Sequence, residues 1–216
     1  MDFITGKETY SQCSQDLWVL HETESKKDGY FVDFGATDGI TINNTYLLES
    51  KYDWKGIVAE PNSGYHEVIK QNRKCHISTK CVFTESNRKI PFIETEASDL
   101  STIKGFGKND EHASKRLNGL IKEVETITLL DLLNSYNAPE QIDYLSIDTE
   151  GSEYAILNTF FTNNTKYNIK CVTIEHNYIS GMRQMLYDLM TSKGYIRKYT
   201  ELSKWDDFYK IGRAHV

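Results

Sequence analysis

Tyr30-Phe31-Val32-Asp33-Phe34-Gly35-Ala36-Thr37-Asp38-Gly39 reads as a buried strand running straight into a glycine turn. Aromatic and β-branched residues fill the strand around a single acid, as strands favour. The two glycines let the backbone approach a bound molecule closely. At the carboxyl end of a parallel strand such a turn faces the ligand crevice. A pyrophosphate would want bare amides at a helix N-terminus, and Asp33 and Asp38 would repel it. They suit a cationic or hydroxyl-bearing ligand, such as a sulfonium amino acid. The spacing is Gly-x-x-x-Gly, not Gly-x-Gly-x-x-Gly, which counts against a nicotinamide cofactor.

Outward from this turn, β-rich runs alternate with helical patterns. Strands are predicted at 30–34, 56–60, 75–83, 142–147, 170–175 and 195–199, with a last one at 208–211. Helices are predicted at 44–50, 63–72, 129–136, 152–161 and 182–193. Such alternation implies an α/β fold with a largely parallel sheet and helices on both faces. Several strands are continuously apolar, as when both faces are covered. Residues 1–211 read as a single domain with an entry segment at 1–28. Residues 88–124 break the rhythm with a polar, Gly-rich stretch and are read as a lid or substrate insertion. Residues 212–216 continue no pattern and are read as a non-native tail.

The chain has 216 residues, 39% hydrophobic and 26% charged, which suits one soluble domain with a sizeable core. No apolar run approaches the roughly 20 residues of a membrane helix, and no secretory signal is visible. Cytoplasm is the expected compartment. The net charge of −6 argues against nucleic acid as the main partner. Cys13, Cys75, Cys81 and Cys171 form no Cys-x-x-Cys pair, so they are expected to be reduced thiols rather than metal or redox ligands.

Three further strands end in acids. Gly56-Ile57-Val58-Ala59-Glu60-Pro61-Asn62 places Glu60 about 20 residues beyond the glycine turn, where a carboxylate can accept from both hydroxyls of a ribose. Asn62 also suits a helix cap. Ile142-Asp143-Tyr144-Leu145-Ser146-Ile147-Asp148-Thr149-Glu150-Gly151 brings Asp148 to the same crevice. Glu153 suits the following helix N-terminus. Val172-Thr173-Ile174-Glu175-His176-Asn177 ends a neighbouring strand in a carboxylate and an imidazole.

Together these blocks, with Asn44-Thr45-Tyr46-Leu47-Leu48-Glu49 and Ser11-Gln12, resemble the FkbM family of S-adenosylmethionine-dependent methyltransferases. The resemblance covers roughly residues 11 to 178, with an echo at Trp205-Asp206-Asp207; Thr37 and Asn43 depart from the family pattern by small polar changes. It implies a Rossmann-like class I methyltransferase fold with a mostly parallel seven-stranded sheet. It implies methyl transfer from S-adenosylmethionine to a hydroxyl of a sugar, glycan or small natural product. Asp33, Gly35, Ala36, Asp38, Gly39, Glu60, Asn62, Ser98 and Asp148 are assigned to the cofactor. The rival readings are a non-catalytic binding module on the same scaffold and a nucleic-acid methyltransferase.

A sugar hydroxyl is a weak nucleophile, so a general base is expected. Asp148, Glu175 and His176 are the candidate catalytic residues, and His176 has the most suitable intrinsic pKa. The site is read without a metal. If one bound, the same three residues would be its ligands, and two carboxylates with one imidazole suit magnesium, manganese or iron.

Overall fold

The computed structural model describes residues 3–95, 100–107 and 113–212. Strand β1 (Tyr30–Phe34) lies inside a seven-stranded sheet. Beside it run β2 (Lys55–Ala59) and β3 (His76–Ser78) on one side. On the other run β8 (Gln141–Ile147) and β9 (Asn168–Glu175). These five strands are parallel. Strand β11 (Asp206–Ile211) pairs antiparallel with β9 and β10 (Tyr195–Lys198) antiparallel with β11, completing the order β10-β11-β9-β8-β1-β2-β3. The mostly parallel, seven-stranded α/β sheet is therefore present as expected.

The alternation of side chains along each strand builds two cores. Val32, Phe34, Ile57, Leu145, Val172 and Tyr209 face one side. Helices α5 (Leu129–Ser135), α6 (Glu153–Asn163) and α7 (Ser180–Ser192) cover it through Leu132, Leu133, Leu157, Phe160 and Met190. Phe31, Val58, Tyr144 and Phe208 face the other. There α1 (Gln15–Glu22), α2 (Tyr46–Tyr52) and α3 (His66–Asn72) contribute Trp18, Val19, Leu48 and Ile69. Among the described residues, no helix is long and apolar enough to cross a membrane. All four cysteines are free, and burial pushes their thiols up to about 12.

Three local differences from the sequence reading bear on the site. The single strand expected at 75–83 is two: β3 joins the main sheet, and β4 (Cys81–Val82) leaves it to pair with β7 (Leu120–Ile127). The polar Ser78-Thr79-Lys80 makes the break, with the Lys80 amide donating to Ser78 Oγ at 3.3 Å. The stretch 88–124 is not one long loop. Strands β5 (Lys89–Glu94) and β6 (Thr102–Ile103) pair antiparallel, and β5 also pairs with β7, giving a four-stranded sheet with the short helix α4 (Ala113–Arg116). The entry segment holds a true helix, α1, whose Trp18 is fully buried. Gly212, taken with the tail, donates its amide to the Gly194 carbonyl at 2.9 Å, and 213–216 lie outside the described residues.

Candidate functional site

The strand order reverses between β1 and β8, and in open α/β sheets ligands bind at the carboxyl ends of strands beside such a switch. A solvent-open cleft of about 810 Å³ lies there. Gly35, Glu60 and Asp148 line it, as do Thr37, Thr149, Glu150 and Ser152 from the same two turns. Gly35 sits at φ +78°, and a Cβ on it would come within 2.2 Å of the Asp148 carbonyl oxygen. Only glycine lets the turns after β1 and β8 pass this closely.

Glu60 ends β2 with its carboxylate turned back under the glycine turn. Its Oε2 accepts from the Thr37 amide at 2.9 Å and its Oε1 from the Asn62 amide at 2.8 Å. The group is buried, and burial pushes its carboxyl up to about 7 despite those two donors. Asn62 caps the 3-10 turn Ser63–Tyr65, accepting from the Gly64 amide, and donates to Ser101 Oγ at 3.1 Å.

The other residues assigned to the glycine turn lie behind its surface. Asp33 Oδ2 accepts from Asn43 Nδ2 at 3.1 Å and Thr45 Oγ1 at 2.8 Å. Arg73 reaches the same pair of side chains, Asn43 and Thr45, at 3.0 Å each. Asp38 accepts from the amides of Ile40 and Thr41 and from the Thr41 hydroxyl. Ala36 is fully buried, and Gly39 packs on Arg73 and Ile69. None of Asp33, Ala36, Asp38, Gly39 or Asn62 is among the residues lining the cleft. Their side chains fix the shape of the turn that Gly35 and Thr37 present. Ser98 lies outside the described residues.

Asp148 and Glu175 come together. Each presents a carboxylate oxygen within 4.8 Å of the other's. Burial first, then the charges of Glu150 and Asp206, holds Asp148 well above the usual carboxylate range, and burial followed by the charges of Asp148 and Glu150 does the same for Glu175. His176 does not join them. Its Nδ1 accepts from the Tyr178 amide at 3.2 Å, which leaves the neutral ring's proton on Nε2. Nε2 lies 3.8 Å from Asp207 Oδ1, beyond hydrogen-bond reach, and burial pushes the imidazole down to about 4. So placed, the ring offers no free lone pair to a hydroxyl. Glu175 and His176 border a second solvent-open cavity of about 730 Å³, opposite Gly105, Phe106 and Gly107 of the small sheet. Glu153 is absorbed locally, its Oε1 accepting from Thr149 and Gly151 at the start of α6.

Three contributors carry no site role in the sequence reading, although Ser11-Gln12 and Gln15-Asp16 belong to the resemblance. Gln12 and Gln15 line the cleft with Trp205, and Gln15 Nε2 donates to Asp206 Oδ2 at 2.5 Å. Arg116, buried, donates to the carbonyls of Leu100 and Gly107 at 2.7 Å each and to Glu150 Oε2 at 2.6 Å. It thereby ties the small sheet to the turn after β8. The echo at Trp205-Asp206 was a signal for the first contact, whereas Arg116 sits in a stretch with no readable pattern.

A family model described as the methyltransferase FkbM domain matches residues 33–197. No curated protein matches the chain. Among solved structures, the chain is similar to precorrin-6y C5,15-methyltransferase from Geobacter metallireducens GS-15, at 10% identity and TM-score 0.48 over 96% of this chain and 92% of that one. It is also similar to a chain of a fibrillarin/Nop5p complex, at 9% identity and TM-score 0.40 over 85% and 72%. Neither likeness bears on the reaction.

Proposed function

The chain belongs to the FkbM methyltransferase family, and from that premise we propose that it methylates a hydroxyl of a sugar, glycan or small natural product, using S-adenosylmethionine seated in the cleft between the turns after β1 and β8. The observation that carries this reading is Glu60. A buried carboxylate, fixed by two backbone amides at the end of β2, has remaining lone pairs for the paired hydroxyls of a ribose. The bare Gly35 leaves room for the rest of the molecule, and Asp148 supplies the negative charge that suits a sulfonium. The donors and acceptors of the cleft thus fit the cofactor.

When bound, S-adenosylmethionine supplies an electrophilic methyl carbon, which an oxygen takes as the carbon–sulfur bond breaks. The residues of this chain align that oxygen and receive its proton. Asp148, half-buried and raised in pKa beside Glu175, is the base that fits. Its raised pKa brings it closer to that of a useful acceptor near neutral pH.

S-adenosylhomocysteine, but not NAD, is expected to raise the unfolding midpoint, by roughly 5–10 °C at a hundredfold excess over Kd. Glu60→Gln is expected to weaken its binding about ten- to a hundredfold, the worth of one or two hydrogen bonds to a charged group. The pH dependence follows from the same residue. Ribose hydroxyls donate to the carboxylate form, so wild-type affinity should be flat above pH 7 and fall about tenfold per unit below it. Stability runs the other way for this group. Its folded pKa lies above the unfolded value of 4.5, so its contribution is full below pH 4.5 and is lost as pH rises through 7. Affinity for S-adenosylhomocysteine that is unchanged in Glu60→Gln would remove the ribose assignment. Label from methyl-tritiated cofactor appearing on nucleic acid, and on no sugar or polyol hydroxyl, would remove the acceptor class.

A further inference from the structure

Beside Asp148 and Glu175 stands a third carboxylate. Asp148, Glu150 and Glu175 each present an oxygen, and the three oxygens lie within 4.8 Å of one another. Arg116 and Asn177 both donate to Glu150 Oε2, so one guanidinium answers one of the three acids. Glu175 is a separate matter. It is 5% exposed, it lies against Asp148, and its Oε2 has no hydrogen-bond donor. A carboxylate oxygen removed from water and given no donor is rare in folded proteins, because burial without a partner is costly.

We propose that Asp148, Glu150 and Glu175 form a site for a divalent cation, magnesium or manganese. Magnesium holds oxygens about 2.0–2.1 Å away, so two of its ligands are at most about 4.2 Å apart. The three oxygens lie within 4.8 Å of one another, and side-chain rotations that move them by a few tenths of an ångström bring them into that range. The ligand set is all oxygen, with no thiol and no imidazole, which selects hard ions over zinc or copper. His176, the third ligand of the sequence reading, is replaced by Glu150, because its Nδ1 is taken by the Tyr178 amide and its Nε2 lies toward Asp207.

The location gives the ion a task. Asp148 and Glu150 line the cofactor cleft, while Glu175 borders the cavity behind it. Magnesium typically takes only one or two protein carboxylates and keeps other positions for water or substrate. An acceptor hydroxyl entering from the second cavity would occupy one of them, and the ion would favour its ionised form. This task rests on the methyl-transfer reading above; binding of the ion does not.

Manganese added to the full chain, with its free-ion electron paramagnetic resonance signal recorded, tests the site alone. One manganese per chain is expected, displaced by excess magnesium. Glu175→Gln should weaken it at least tenfold, and Glu67→Gln, an exposed acid far from the cluster in sequence, should not. If Glu175→Gln does not fold, Asp148→Asn measured in the same way decides. An undiminished free signal at millimolar ion, or wild-type binding by the folded variant, overturns the site. S-adenosylhomocysteine binding measured on the same samples tells the two readings apart: its loss in the wild type defeats the cofactor seat, not the ion.

Discussion

Asp148→Asn is expected to lower kcat about a hundred- to ten-thousand-fold at saturating S-adenosylmethionine, the range a positioned proton acceptor contributes. Asparagine keeps the shape of the side chain and the backbone carbonyl that faces Gly35, so the turn itself should survive. What is lost is the basic oxygen beside the proposed reacting centre, whose carboxyl burial holds well above the usual range. The wild-type rate should fall as pH drops through the raised pKa of the pair, and that limb should vanish in the variant. His176→Ala should cost far less in kcat, because its free nitrogen bears the proton and lies toward Asp207. Single-turnover rates measured with a methyl-accepting sugar decide between them. Asp148→Asn at near wild-type rate, with His176→Ala inactive, would reverse the assignment.

Gly35→Ala is expected to destabilise the fold by about 3–4 kcal/mol and to abolish cofactor binding. Two costs combine. The residue sits at φ +78°, where a side chain costs roughly 1–2 kcal/mol. Its Cβ would also stand 2.2 Å from the Asp148 carbonyl oxygen, a backbone atom that no rotamer change can move. Relief requires parting the ends of β1 and β8, which are in register at Phe34 and Ile147. For a domain of this size the loss corresponds to about 10 °C in Tm. Gly6→Ala separates the two costs, since Gly6 has φ +71° but nothing within 4 Å of an added Cβ. It should show the conformational penalty alone. Equal Tm losses at the two positions would mean that close approach to Asp148 contributes nothing.

The central sheet was legible because burial on both faces leaves a plain mark, short apolar runs ending in acids. Tyr30–Phe34 was read to the residue, and β2, β8 and β9 to within one or two. Glu60 was legible too, since its place depends only on the spacing of β1 and β2. The acids of the glycine turn were harder. An acid near a ligand turn can face the ligand or bond within the loop: Asp33 accepts from Asn43 and Thr45, which Arg73 also holds and which only the fold brings to it, while Asp38 accepts from its own neighbours Ile40 and Thr41. The pairing of Glu175 with His176 overlooked the alternation of side chains at a strand end, which sends neighbours opposite ways. The small sheet escaped because β6 is two residues long and β7, the second partner of β5, lies beyond the Gly105-Phe106-Gly107 stretch.

The hydrogen bond from Gln15 to Asp206 spans 191 positions of the chain. It joins one residue to another made 191 positions later, and both stand at or beside the proposed cofactor cleft with Trp205. A ribosome adding about 5–20 residues per second needs roughly 10–40 s to travel that distance. Through most of that time the growing chain has its glycine turn and Glu60 but lacks β11, the strand that pairs with β9. In the proposed cofactor seat, capture therefore waits for β11, and a nascent chain stalled before it would carry Glu60 without the contact from Gln15 to Asp206.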